Sequence, residues 1–298
     1  MRLGVQLPEV ERAVSWAEMR EIALAAEDVG FDSVWVGDHL LYRDAEGHTT
    51  GPWEAWSVLA GLAEATERVT IAPLVAATAF HSPAMLAKKA ATVDEMSGGR
   101  LVVALGAGWN EVEFAAYGFP YDRRASRFAE AFTIIRTLLR EGHIDFQGEF
   151  YTLRDCELIP RARPEIPLMI GSQGPRVLRA TLPHVDAWNG WYAWFGNTPD
   201  GAAELNTLVD GVCDDVERPR SQVERTVTVL VEAPGAMGNA ERAKRWNDPP
   251  AVSGSPEQIA DQLRAFAAVG IHEVQLVVDP ITTESVRWLG RTLEALDA

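Results

Sequence analysis

At 298 residues with 47% apolar and 8% aromatic composition, the chain can bury a large core and is too apolar for extended disorder. Its 27 Lys and Arg against 43 Asp and Glu leave a net charge of −16, which repels phosphate backbones and anionic bilayers and argues against nucleic-acid and membrane partners. The two distant cysteines, Cys156 and Cys213, suggest neither a disulfide framework nor a thiolate zinc site; with Pro8 interrupting the N-terminal apolar run and no ~20-residue apolar stretch, the expectation is a cytoplasmic protein.

Residues 3–7 read as a strand that stops at Pro8, and residues 16–29 carry Met19, Ile22, Ala23 and Ala26 at helical spacing up to Gly30. The same unit recurs. Strands at 33–36, 69–74 and 101–106 are followed by helices at 56–65, 83–96 and 128–140. In the second half, strands at 167–170, 186–191, 226–231 and 273–278 are followed by a helix from Pro175 and helices at 202–216, 256–269 and 283–296. Residues 101–105 and 274–278 are apolar on both faces, as a parallel sheet covered by helices requires. Eight strand-helix units in a chain of this length predict an α/β fold of the (β/α)8 TIM-barrel type, one domain over residues 1–298, in preference to a doubly wound open sheet. Two segments fall outside the repeat: a hairpin insertion at about 145–158 with a Gln147-Gly148 turn, and a Gly- and Pro-rich loop at about 234–253. Following strand seven, that loop lies on the carboxyl-terminal face, where it would form a lid.

Side chains and loops at the carboxyl ends of barrel strands make the active site, and this rule sorts the candidate residues. Gly98 and Gly99 lie between a helix and a strand, at the opposite rim, and read as a helix C-cap. Gly171, Ser172, Gln173 and Gly174 lie between a strand and a helix that opens with Pro175, so they read either as an anion site or as a plain tight turn. Gly106, Ala107 and Gly108 also follow a strand; they lack the third glycine of a dinucleotide fingerprint but would let a flat ring approach the backbone.

Asp38 and His39 arrive together as the second strand stops; His81, after the third, is a second candidate beside the substrate pocket, for catalysis or for packing at the helix start. No His-x-His pair or His-Glu-x-x-His helix accompanies them, so zinc is not indicated. Glu111 and Glu113 read as solvated or helix-capping charges. Of the ten tryptophans, Trp188 and Trp56 read as core, and Trp53, Trp109 and Trp191 as the lining of a wide apolar pocket.

Three stretches together carry a family resemblance: residues 30–40 (GFDSVWVGDHL), 86–100 (LAKKAATVDEMSGGR) and 106–114 (GAGWNEVEF) with Gly118. The combination, with Ser255-Pro256-Glu257-Gln258-Ile259 near the end, resembles the bacterial luciferase-like family of flavin-dependent oxidoreductases over nearly the whole length. That resemblance implies a TIM barrel with insertions, binding FMN or coenzyme F420 at the barrel mouth. It implies His39, with Asp38 beside it, at the reactive edge of the ring, and a non-prolyl cis peptide near Leu74 and Val75 under the ring's face. Gly106, Ala107 and Gly108 would then lie along the ring and its ribityl chain, and Gly171 to Gly174 would take the phosphate. Relatives of this kind are often dimers.

Two departures bear on substrate. The sugar-phosphate dehydrogenases of the deazaflavin branch place a catalytic glutamate where this chain has Trp109, and the arginine that many relatives have near His81 is missing. The expected activity is therefore hydride transfer between coenzyme F420 and a small, largely apolar organic substrate. The alternative is an FMN-dependent monooxygenase supplied with reduced flavin by a separate reductase.

Overall fold

The computed structural model describes residues 1–43 and 47–297. The chain begins with β1 (Arg2–Gln6), α1 (Trp16–Val29), β2 (Ser33–Val36), the short pair β3 (Tyr42–Arg43) and β4 (Thr49–Thr50), and α2 (Ala55–Ala65). Next come β5 (Thr70–Pro73), β6 (Ala76–Ala77), α3 (Pro83–Met96), β7 (Val103–Gly106), α4 (Glu111–Tyr117) and α5 (Arg124–Glu141). A hairpin of β8 (His143–Gln147) and β9 (Thr152–Glu157) leads to β10 (Leu168–Gly171), α6 (Pro175–Thr181), β11 (Ala187–Gly190) and α7 (Pro199–Asp215). The last elements are β12 (Glu224–Glu232), α8 (Asn239–Trp246), α9 (Pro256–Ala268), β13 (Glu273–Asp279) and α10 (Thr283–Asp297).

The main sheet runs β5-β2-β1-β13-β12-β11-β10-β7-β6, with all its pairings parallel. β5 and β6 are two halves of one strand, separated at a cis Leu74–Val75 peptide. β6 pairs with β7, and Ile71 of β5 bridges Leu101 just before β7, so the sheet closes on itself. The result is the TIM barrel that the alternation predicts, with the third strand broken at the mouth.

Local chemistry sets the helix ends. Ser15 caps α1 by accepting the Glu18 amide at 3.2 Å, a contribution of about 1 kcal/mol. Ser255 and Gln258 form a reciprocal capping box on α9. The inward faces of the strands divide into an apolar and a polar half. Trp35 packs with Ala72, Leu74, Ala104 and Met169; across the barrel, Asn189 bonds Thr226, Thr228 and Gln275. A large side chain on one strand faces small ones on its neighbours, which is how a barrel interior reaches crystal-like density.

Three expectations need correction. The 234–253 segment is not all loop, because α8 forms inside it; its apolar positions are too few to give the periodic signal of a packed helix. Glu111–Tyr117 is a helix before the one expected at 128–140, and α5 itself starts at Arg124. The hairpin is longer than its turn suggests, because β8 and β9 pair from His143 and Glu157 inward.

Candidate active site

β2 ends at Val36, and Gly37, Asp38 and His39 turn over the barrel mouth. His39 is held from both sides. Its Nδ1–H donates to Glu113 Oε1 at 2.6 Å, since a carboxylate can only accept. Its Nε2 stands 4.0 Å from Glu9 Oε1. Glu113 is fully buried on the first turn of α4, and Asn110 at the N-cap donates to the same Oε1 at 2.6 Å and to the Leu41 carbonyl at 3.1 Å. The expectation of solvated charges there is wrong for Glu113: α4 lays it against the His39 loop, while Glu111 stays exposed.

Glu9 follows Pro8, directly beyond the carboxyl end of β1, and is 8% exposed. Gln6 Nε2 donates to its Oε2 at 3.0 Å, and its Oε1 has no partner. A side chain at residue 37 would collide with it, because a Cβ there would stand 2.3 Å from the Glu9 carboxyl carbon. Gly37 is thus the clearance that lets a carboxylate from one strand reach the imidazole of the next. Burial lifts the Glu9 carboxyl to about 7, against the opposing pull of His39. Burial alone would lower His39, but Glu9 and Glu113 outweigh it and raise the imidazole. The two groups are close enough that their protons belong to the pair.

Asp38 is turned inward. Its Oδ2 accepts the Ala77 amide at 2.8 Å and His81 Nε2–H at 2.9 Å, which ties the end of β2 to the segment after the cis bond. Leu74 and Val75 flank that bond at the floor of the mouth. A Cβ on Gly106 would stand 2.7 Å from Val75 Cγ2, and one on Gly171 would stand 3.0 Å from both Val75 methyls. The glycines therefore leave a shallow floor with one isopropyl group at its centre. Ala107 and Gly108 continue that floor, and the Gly108 carbonyl is held by Arg124 at 3.2 Å. At the next strand Ser172 Oγ accepts the Gly174 amide at 3.1 Å, and the Ser172 carbonyl accepts the Trp188 indole N–H at 2.7 Å; Gln173 is exposed.

The tryptophans divide. Trp188 and Trp56 are core, as their pattern predicts. Trp109 is 62% exposed, with its ring 5.7 Å from His39 and 6.1 Å from Tyr42. It stays in place through its backbone: the Trp109 carbonyl accepts from Tyr121 Oη and Arg124 Nη1. Trp191 packs on the barrel-interior cluster and on Tyr192 at 4.5 Å. Trp53 is exposed, its indole N–H donating to the Val14 carbonyl at 2.8 Å. Sequence reasoning missed Glu9 and Tyr42. Glu9 obeys the rule that drew attention to His39, since it lies just past the carboxyl end of β1, whereas Tyr42 sits in β3, further along the loop after β2.

The family model for luciferase-like monooxygenases matches residues 1–234. The chain belongs to that family. This luciferase-like enzyme is accordingly an oxidoreductase of the flavin or deazaflavin type. An F420-dependent glucose-6-phosphate dehydrogenase of Intrasporangium calvum is 29% identical over 285 residues, covering 91% of this chain and 80% of its own length. Its counterpart in Amycolatopsis mediterranei is 35% identical over 168 residues, 54% of this chain, and the match spans about half of that relative, 49% of its length. The solved structure of an F420-dependent secondary alcohol dehydrogenase with an F420-acetone adduct superposes with a TM-score of 0.84 at 21% identity, covering 99% of this chain and 98% of its own. That likeness concerns the fold. No described helix is long and apolar enough to cross a membrane.

Proposed function

We propose that the protein is a cytoplasmic, homodimeric oxidoreductase that uses coenzyme F420 to move a hydride to or from a small, largely apolar and uncharged organic substrate. The observation that carries this reading is His39 at the barrel mouth, with Nδ1 fixed by Glu113 and Nε2 facing the unpartnered Glu9 Oε1. The glycine-cleared floor at Gly106 and Gly171 fits a flat tricycle resting over Val75. The two F420-dependent relatives support the choice of coenzyme.

When bound, the deazaflavin supplies a ring carbon that gives or takes the hydride. The protein's part is the proton. In the oxidising direction Nε2 of His39 accepts the hydroxyl proton of the substrate, and the imidazolium so formed lies between two carboxylates. In the reducing direction it returns that proton to the carbonyl oxygen. General acid-base help of this kind is worth ~10² to 10⁴ in rate. Trp109 and Trp191 offer apolar walls, and His81, through Asp38, steadies the floor. The charges near His39 are the carboxylates of Glu9, Asp38 and Glu113, which would repel a phosphate ester. Exposed Trp16 on α1 and Met85 on α3, at 40% and 54%, are apolar surface available to a dimer contact.

Titration with F420 and with FMN, oxidised and reduced, followed by tryptophan quenching, tests the coenzyme. Micromolar or tighter F420 binding with weak FMN binding is expected; preference for reduced FMN with oxygen consumption would overturn the proposal in favour of a monooxygenase. His39→Ala should lower turnover about 100-fold or more and leave F420 affinity nearly unchanged. An unchanged turnover removes the role given to His39.

A further inference from the structure

The polar half of the barrel interior is built from side chains whose hydrogen bonds share a direction. Asn189, Thr226, Thr228, Gln275 and Gln6 sit on four adjacent strands, β11, β12, β13 and β1, and each is at most 3% exposed. Thr228 Oγ1–H donates to Asn189 Oδ1 at 3.3 Å, and Asn189 Nδ2 donates to Thr226 Oγ1 at 3.0 Å and to Gln275 Oε1 at 2.8 Å. The oxygen of Gln275 is thereby engaged, while its buried Nε2 has no partner among the described residues. On β1 the order is complementary. Gln6 Nε2 donates to Glu9 Oε2 at 3.0 Å, and its buried Oε1 receives no donor among the described residues.

The loose donor and the loose acceptor belong to neighbouring strands. Gln275 pairs in register with Gly4, and Gln6 follows two residues on, on the same inward face. Two long side chains at such diagonal positions reach one another. A buried amide nitrogen and a buried carbonyl oxygen are each costly to leave unpaired. One water that accepts from the first and donates to the second satisfies both. The line then runs Thr228, Asn189, Gln275, water, Gln6, Glu9, and every link donates toward the mouth.

We infer that Gln275 and Gln6, joined through this water, are positioning residues for Glu9 and His39, and that the line from Thr228 fixes the Gln6 amide with its N–H toward Glu9. An amide can present either end. Its N–H at Glu9 stabilises the carboxylate, whereas its carbonyl there would favour the protonated acid. With Oε2 held by Gln6, Glu9 keeps Oε1 for His39 Nε2, 4.0 Å away. The groups facing Glu9 are His39 and Asp38 beyond β2, Glu113 on α4 and Glu11 on its own loop. Against the effect of burial, Glu9 is the foremost charge that raises His39. Linked hydrogen bonds polarise one another, so a hydroxyl on β12 bears on the imidazole beyond β2. The inference rests on the proton role proposed for His39 and is indifferent to which coenzyme meets it.

A pH titration of the imidazole nitrogen resonances of the whole protein, without coenzyme, tests this, so a failure of F420 to bind leaves the test intact. Gln275→Met keeps the volume and deletes the amide, which frees Gln6 to turn; His39 should then bind its proton about threefold to tenfold more weakly. Thr228→Val cuts the far end of the line at constant shape and should move His39 in the same direction by less. Thr292→Val removes a buried hydroxyl on α10, outside the barrel, and should leave the His39 titration in place. An unmoved His39 in both Gln275→Met and Thr228→Val means that Gln6 orients Glu9 unaided, and overturns the inference; if Gln275→Met fails to fold, Thr228→Val decides. An equal shift in Thr292→Val marks a general response to a weakened core and overturns it too. Loss of turnover in His39→Ala beside an unmoved titration would sink this inference and leave the proposed function standing.

Discussion

Replacing Glu9 by Gln should make the protein more stable and less active, and the gain in stability should grow with pH. Burial lifts the Glu9 carboxyl from 4.5 to about 7. Because the folded value exceeds the unfolded one, the native state binds more protons than the unfolded chain between those limits. The group's stabilising contribution is therefore complete below about pH 4.5 and is lost as pH rises through about 7. At 1.36 kcal/mol for each factor of ten, the native protein at about pH 8 forgoes up to about 3 kcal/mol, a large share of the 5–15 kcal/mol typical of a domain. Gln keeps the shape and the hydrogen bond from Gln6 but never ionises. Glu9 is the largest charge raising His39, so the variant also loses that attraction, and the net gain is smaller than the carboxyl's own shift would give. Urea unfolding followed by tryptophan emission should give coincident midpoints near about pH 5 and a more stable variant above about pH 7. Parallel midpoints across that range, or a less stable variant at about pH 8, would refute the argument that Glu9 is an uncompensated buried acid.

Two other substitutions separate binding from chemistry. Glu113→Gln leaves a side chain able to accept the Nδ1–H of His39 but removes the charge behind it, so turnover should fall about 10- to 100-fold with F420 affinity unchanged. The pH–rate profile should shift down with it, because Glu113 helps raise the imidazole; an unmoved profile means that Glu113 is structural only. Gly106→Ala places a Cβ 2.7 Å from Val75 Cγ2 and must displace the floor of the mouth. F420 affinity should drop about tenfold or more, with a stability cost of about 1–3 kcal/mol from overpacking; tight binding by this variant would mean that the ring lies elsewhere.

The sequence made the barrel legible because its strands and helices alternate in period and length. The helix expected at residues 16–29 up to Gly30 is found with both ends where the pattern puts them, and the structure adds the Ser15 cap. His39 was legible for the same reason, since a strand ended there and a titratable pair followed. Glu113 was not. Its burial depends on α4 folding back onto the His39 loop, and a seven-residue helix offers too few turns for a periodic signal. Glu9 obeyed the strand-end rule, but its closeness to His39 depends on the clearance at Gly37, a contact between neighbouring strands that no local pattern records. Arg242 lay in a segment whose Gly and Pro content reads as loop, and its burial follows from partners 6 and 37 residues away, Asp248 and Asp279.

The indole at residue 109 and the carboxylate at residue 9 belong to one solution. A wall of Trp109 beside His39 favours an apolar substrate face but supplies no proton, so the acid-base partner of the imidazole must come from another strand. Among the described carboxylates, Glu9 faces Nε2 from β1 at 4.0 Å, while Glu113 is committed to Nδ1. A permanently charged carboxylate so deep would cost several kcal/mol. One that titrates near neutrality can match the charge on His39 as that charge comes and goes. On the proposed role of His39, burial at residue 9 is the condition for its partner's chemistry, and the stability sacrificed there is its counterpart.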